Sequence, residues 1–276
     1  MMEIIENYYR EHKQVFNECL ARIPLGYKVE DIHEMRTSIK RLRALFQLVE
    51  FLSDDKFSTK KYLKRGRRLF KSVGTLREIQ VEEMLVYKYE EKLSRNFNEY
   101  SEYLFEKEHR EIETLKKSFG EIKGDRIFND EDFFSAIKEI DKDSVEEKTQ
   151  AFVKNKSNTL IKMNRKGKIT KRVHKNRTIL KQIYYLYDIL TELSGWHIFL
   201  GMTKEEIRKR EQQIGEWHDR VNSLHYLNLF FTTHNYKPPE KYFNLKQFIF
   251  KERDEMKKAV VKHLFVGQTE LWDESP

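Results

Sequence analysis

The stretch Ile32–Leu52, IHEMRTSIKRLRALFQLVEFL, carries Ile32, Met35, Ile39, Leu42, Phe46 and Val49 at steps of three and four. That spacing marks one face of an α-helix, because strand side chains alternate with a period of two. The same period recurs in Tyr62–Val73, Ile79–Phe119, Val173–Leu193 and Phe243–Phe265. The most strand-like run, ILKQIYYLYDIL (Ile179–Leu190), still has three- and four-residue apolar steps. Pro24, Pro238, Pro239 and Pro276 are the only prolines, so none interrupts Leu25–Lys237. An all-α fold is expected. Turn residues without a sustained period mark Gly120–Asp132 as the break between halves, and Asn235–Lys241 as a second loop. Phe46, Met84 and the other stripe members are expected in the core.

Composition narrows the class of partner. Of 276 residues, 39% are hydrophobic and 36% charged, with a formal net charge of +8. The 19 Phe and 14 Tyr can fill a core, which excludes wholesale disorder. The charge then needs a large surface, as long helices provide, and its sign favours anionic partners. One cysteine, Cys19, excludes an intrachain disulfide and a multi-cysteine zinc site. The opening MMEIIENYYREHK lacks the basic and apolar regions of a signal peptide. No apolar run approaches the roughly 20 residues that span a bilayer. A soluble, cytoplasmic protein without membrane insertion is expected.

An internal repeat organises the chain. His33 and His174 stand 141 residues apart, and the same offset carries Arg36 to Arg177, Thr37 to Thr178 and Lys40 to Lys181. It also carries Ile39, Leu42, Leu45 and Phe46 to Leu180, Ile183, Leu186 and Tyr187. Farther on, Gly74, Arg77 and Glu78 fall on Gly215, His218 and Asp219. An offset kept without a gap over some forty residues points to two similar helical halves, about 1–120 and 125–276. They are expected to pair by a pseudo-twofold into one domain spanning 1–276.

At about 100° per residue, His33, Arg36, Lys40 and Arg43 share one narrow stripe beside the apolar face. Such a row presents a cation every ~5–6 Å, close to the spacing of phosphates in an extended chain. Arginine offers a two-pronged fork to phosphate oxygens and lysine a mobile point charge. Imidazole titrates near neutrality, and phosphate favours its charged form. Lys61, Lys64, Arg68 and Lys71 form a second row, with Arg65 and Arg67 beside it. The row is not duplicated, but Lys154–Lys181 compensates with eleven Lys or Arg and no acid, including Lys171, Lys175, Arg177 and Lys181.

A charge run on a helix is ordinarily a solvated face, and such faces mix signs for i,i+4 pairing. Tyr87–Lys117 does so and reads as structural, whereas Glu34 is the only acid between Asp31 and Glu50. Like charges at these steps cost a few tenths of a kcal/mol per pair. Rows kept in both halves suggest a ligand that supplies the missing negative charge.

The residues His33, Arg36, Lys40, Arg41, Leu42 and Arg43, then Gly74, Arg77 and Glu78, resemble the CHAD family, the conserved histidine α-helical domain. A second copy runs His174, Arg177, Lys181, Gln182, Ile183 and Tyr184, then Gly215, His218 and Asp219. The short motifs are weak singly, and the doubled set in order is fairly specific. The resemblance covers roughly Met1 to Phe265. It implies two antiparallel helical bundles around a basic central groove, binding inorganic polyphosphate without known catalysis. Arg77 and His218 would join the rows as phosphate donors, with Glu78 and Asp219 orienting their partners. Two departures stand out. Glu78 replaces the usual aspartate, and Gln182 and Tyr184 replace basic residues, so the second half is expected to make fewer phosphate contacts. Many relatives add a triphosphate-tunnel enzyme domain, for which this length leaves no room.

Two other functions compete. In the first, His174, His218 and Asp219 would hold a metal for phosphate-ester hydrolysis. The first half offers Arg77–Glu78 there instead, and arginine does not ligate metals. The chain also lacks a P-loop and an H-E-x-x-H motif. No enzyme activity, cofactor or metal is therefore expected. The second is binding of RNA or another phosphate-rich polyanion. Single-strand binders stack bases on aromatics between their cations. The first histidine stripe has none and the second only Tyr184. Recruitment to polyphosphate granules, storage and regulation of a partner enzyme are all compatible with the pattern.

Overall fold

The computed structural model describes residues 2–119, 127–165, 169–233 and 239–265. The helices are α1 (Met2–Arg22), α2 (Val29–Leu52), α3 (Thr59–Tyr62), α4 (Lys64–Ser72), α5 (Gly74–Leu93) and α6 (Asn98–Phe119). There follow α7 (Asp130–Lys138), α8 (Val145–Arg165), α9 (Ile169–Ser194), α10 (Lys204–Thr233) and α11 (Glu240–Phe265). Among the described residues no strand appears, only an isolated bridge between Phe199 and Met202. The fold is all-α. None of the helices is long and apolar enough to cross a membrane among the described residues. The two expected loops, Gly120–Asp132 and Asn235–Lys241, lie partly outside those residues.

The helices form two compact units. Of the described residues, the first takes those in 2–70, 127–212 and 261–265, and the second those in 71–119 and 213–260. In the first unit α1 packs along α2, and α9 packs against both α2 and α8. The apolar stripe of α2 is buried as its spacing demands. Phe46 is fully enclosed, with the rings of Tyr9, Phe57, Tyr62, Phe128 and Phe133 at 4.8 to 6.1 Å. Each such ring taken from water contributes about 1.5–3 kcal/mol. A hydrogen bond from Gln182 Nε2 to Gln47 Oε1, 2.9 Å, ties α9 to α2. Gln182 is therefore a packing residue, and its departure from the basic pattern has a structural use.

In the second unit Tyr89, Phe97, Tyr100, Leu227, Phe230, Tyr242 and Leu245 belong to one apolar core. A carboxyl group is buried beside it. Glu82 accepts from Ser223 Oγ at 2.6 Å and from the Tyr100 hydroxyl at 3.0 Å. Burial pushes Glu82 up to about 7, against the pull of those hydroxyls and of Arg220. Tyr100→Phe removes one of the two donors without creating a large cavity. It is expected to lower stability by about 1.5 kcal/mol, read from urea unfolding. An unchanged midpoint would show that the Glu82 network holds no net stabilisation.

Three expected elements differ. The Ile79–Phe119 stripe is two helices, because Ser94 turns into the left-handed region (φ 48°) and its amide closes on Glu90 O. Phe97 N then donates to Glu90 Oε1 at 2.7 Å, and α6 starts anew. Tyr62–Val73 is likewise broken, at Leu63 and at Val73. Met84 is 48% exposed and no core residue. The buried face of α5 takes in Ile79, Glu82, Val86 and Tyr89. Position 84 lies about 200° around the helix from Glu82.

Candidate functional site

Helices α2 and α9 carry the two histidine motifs, and both lie in the first unit. His33, His174 and Lys175 are exposed, while Arg36, Lys40, Arg43, Arg177 and Lys181 are half-buried. Each motif leans on a residue from a distant segment. Arg36 Nη1 donates to Phe70 O at 2.7 Å, and its guanidinium lies 4.0 Å over the Phe70 ring. Lys40 Nζ approaches the same ring at 5.8 Å. On the other helix, Arg177 Nε and Lys181 Nζ both donate to Glu211 Oε1, at 3.0 and 2.9 Å.

The four inner cations share one region of the first unit. Burial first, then the charges of Lys181, Arg36 and Arg177, push the Lys40 ammonium down to about 7, while Glu211 works the other way. Two helices related by the 141-residue offset thus crowd positive charge around one half-buried amine. Arg43 is held below its ordinary value by burial and by Arg67. A similar crowding recurs on α8, where burial and Lys175 push Lys156 down to about 8. Like charges held close in a poorly hydrated place are costly, so an arriving polyanion relieves more repulsion here than on an open face.

The second basic row departs from its expected form. Lys64, Arg68 and Lys71 are exposed on α4, but Lys61 sits on the separate α3. Ser58 caps α3 by accepting from Lys61 N at 3.4 Å, and the helix ends at Leu63. Gly66 explains the interruption within KRGRR. It is buried against Phe128, and a β-carbon there would lie 3.3 Å from the ring. The side chain of Lys171 lies outside the described residues.

Arg77, Glu78, His218 and Asp219 belong to the second unit. Arg77, His218 and Asp219 are half-buried and Glu78 exposed, with His218 Nδ1 at 3.4 Å from Asn222 Nδ2. The glycine motif is a turn in one copy only. Gly74 opens α5 after a break at Val73, whereas Gly215 is buried within the continuous α10. Among the described residues, no three or more of His, Cys, Asp and Glu gather as metal ligands.

Sequence reasoning missed Phe70 and Glu211. The absence of acids near the second histidine suggested a row awaiting its counter-charge. Glu211, 30 residues beyond Lys181, already supplies one. A signal existed, since Phe70 and Glu211 are themselves 141 residues apart. The repeat therefore marks the position that supports the arginine in each copy, though not what occupies it.

Comparison with known proteins bears on the fold and the family. A solved structure, the crystal structure of the CHAD domain from the plant Ricinus communis, aligns with a TM-score of 0.69 at 13% identity. The alignment covers 96% of this chain and 90% of that one, and establishes the fold. No curated protein matches. The sequence model of the CHAD domain matches residues 10–228, a span holding both motif copies from His33 to Asp219. The doubled motif, the helical fold and this match converge: the chain belongs to the CHAD domain family.

Proposed function

We propose that the protein binds inorganic polyphosphate through the basic faces of α2 and α9, as a binder without catalytic activity. The supporting observation is the gathering of Arg36, Arg177 and Lys181 around the half-buried Lys40, whose ammonium is depressed to about 7 by burial and, after it, by those charges. Under this proposal the two histidine helices are related by a pseudo-twofold and line a basic groove. His33, His174, Arg43 and Lys175 extend the phosphate path, with Lys171 at its margin. Lys61, Lys64, Arg68, Lys71, Arg77 and His218 act as further contacts, and Glu78 and Asp219 as orienting groups. The protein works in the cytoplasm, where polyphosphate granules are one place it would be recruited.

RNA is the competing ligand, and one observation weighs against it. The aromatic ring nearest the inner cations, Phe70, has a face covered by the Arg36 guanidinium at 4.0 Å. A base would have to displace that cation to stack, whereas a base-free chain of phosphates need not. Competition between long-chain polyphosphate and single-stranded RNA of equal charge tests the choice. Polyphosphate is expected to bind at least about tenfold tighter, a difference of ~1.4 kcal/mol. With about eight cations engaged, log affinity should fall with log salt at a slope of about −5 to −6. Equal affinity for RNA would sink the polyphosphate assignment.

A further inference from the structure

The two copies of the site are not equivalent at one position. Residue 70 gives Arg36 a carbonyl oxygen and a ring, and Lys40 the same ring at longer range. Residue 211, its counterpart 141 positions on, gives Arg177 and Lys181 a carboxylate. The Glu211 side chain is 16% exposed, and Arg177 and Lys181 are 29% and 24% exposed. Burial opposes ionisation of Glu211, yet Lys181 and Arg177 overcome it and hold the carboxyl below its usual range. It is an anion at neutral pH.

A single oxygen, Glu211 Oε1, accepts from both the arginine and the lysine. A guanidinium N–H and an ammonium converging on one anionic oxygen is also how a phosphoryl oxygen would be held. The carboxylate and a ligand phosphate therefore compete for the same donors. Resting on the polyphosphate assignment, we infer that Glu211 is a built-in competitor, an internal anion that the polyphosphate chain must displace from Arg177 and Lys181. It sets the affinity of the second half of the site. The first half carries Phe70, which has no carboxylate, at the matching place.

Displacement has a cost that a single phosphate must recover from the same two donors. A long chain recovers it from the other cations along α2 and α9. Glu211 thus selects for extended polyanions over orthophosphate, which reaches too few cations to offset the exchange.

Glu211→Gln tests this, because glutamine keeps the size and an accepting oxygen but removes the charge. Titration calorimetry with long-chain polyphosphate should show the variant binding about fivefold tighter, the worth of one charge pair at a partly exposed site. Its melting midpoint without ligand should fall by a few degrees, since two half-buried cations lose their counter-charge. A residue with only a structural role would lower both. The reciprocal variant Phe70→Glu installs a carboxylate at the matching place and should bind about fivefold more weakly. It carries the test alone if Glu211→Gln does not fold. Binding by the wild type with equal or weaker binding by Glu211→Gln, or unchanged binding by Phe70→Glu, overturns the competitor role alone. No binding by the wild type overturns the polyphosphate assignment, and this inference with it.

Discussion

Replacing Arg36 and Arg177 together by alanine is expected to weaken polyphosphate binding about 100- to 1,000-fold. Each arginine can place charge-assisted hydrogen bonds on phosphate, worth about 1.5–2 kcal/mol apiece, and each ~1.4 kcal/mol is tenfold. Two effects inside the protein bear on the outcome. Losing Arg36 uncovers the Phe70 ring and removes one charge that depresses Lys40. Losing Arg177 leaves Glu211 with Lys181 as its counter-charge. That remaining pair is tighter in charge balance, so the second half loses more than one cation's attraction. The salt slope should flatten by about one to two units. Filter binding across a salt series reads both quantities. An unchanged slope would place the ligand on another surface.

Affinity is also expected to fall as pH rises through neutrality, and Lys40 fixes the sign. Its ammonium titrates near 7 in the free folded protein, against 10.5 for an ordinary lysine. A bound polyanion favours the charged form, so binding above pH 7 takes up a proton. If Lys40 stays charged in the complex, affinity drops about thirtyfold between pH 6 and pH 8.5. Stability without ligand runs the opposite way. Between about pH 7 and 10.5 the unfolded chain holds a proton that the folded chain has released, so stability rises with pH across that window. Below 7 both states are charged and the full cost of the crowded ammonium is felt. Lys40→Arg keeps a positive charge throughout and should flatten the binding profile. Calorimetry in buffers of different ionisation enthalpy measures the proton uptake directly. Identical pH profiles for wild type and Lys40→Arg would remove Lys40 from the site.

The sequence already carried the helical class and the positions of the histidine helices. Helical period is a local property, and Ile32 to Val49 satisfies it within one window. The repeat was legible for a similar reason, since an offset of 141 needs no three-dimensional information. What escaped depends on distance along the chain. No window around Lys181 contains Glu211, and the charge rows therefore looked more exposed than Arg177 and Lys181 are. The breaks at Leu63 and Ser94 escaped because they sit within apolar spacing that looks continuous. At Ser94 a single left-handed residue decides the outcome. Met84 was misplaced because α5 buries a carboxylate, Glu82, where apolar counting assumes a hydrocarbon.

The way each unit is assembled bears on how the chain reaches this state. The bonds that close the second unit join Glu82 to Ser223 and Tyr100 to Tyr242, partners 141 and 142 residues apart. In the first unit Gln47 meets Gln182 across 135. Neither unit can be completed from the first 120 residues. During synthesis α1 can pack along α2 early, but the face of α2 that meets α8 and α9 stays uncovered until those helices leave the ribosome. At ~5–20 residues per second that interval lasts roughly 7 to 28 seconds. Neighbouring helices such as α1 and α2, α5 and α6, or α8 and α9 pack locally, whereas closure at such separation, as between α2 and α9, is the slow kind of step. The wait leaves that apolar surface open to contact with other chains, which the surplus of lysine and arginine opposes by like-charge repulsion.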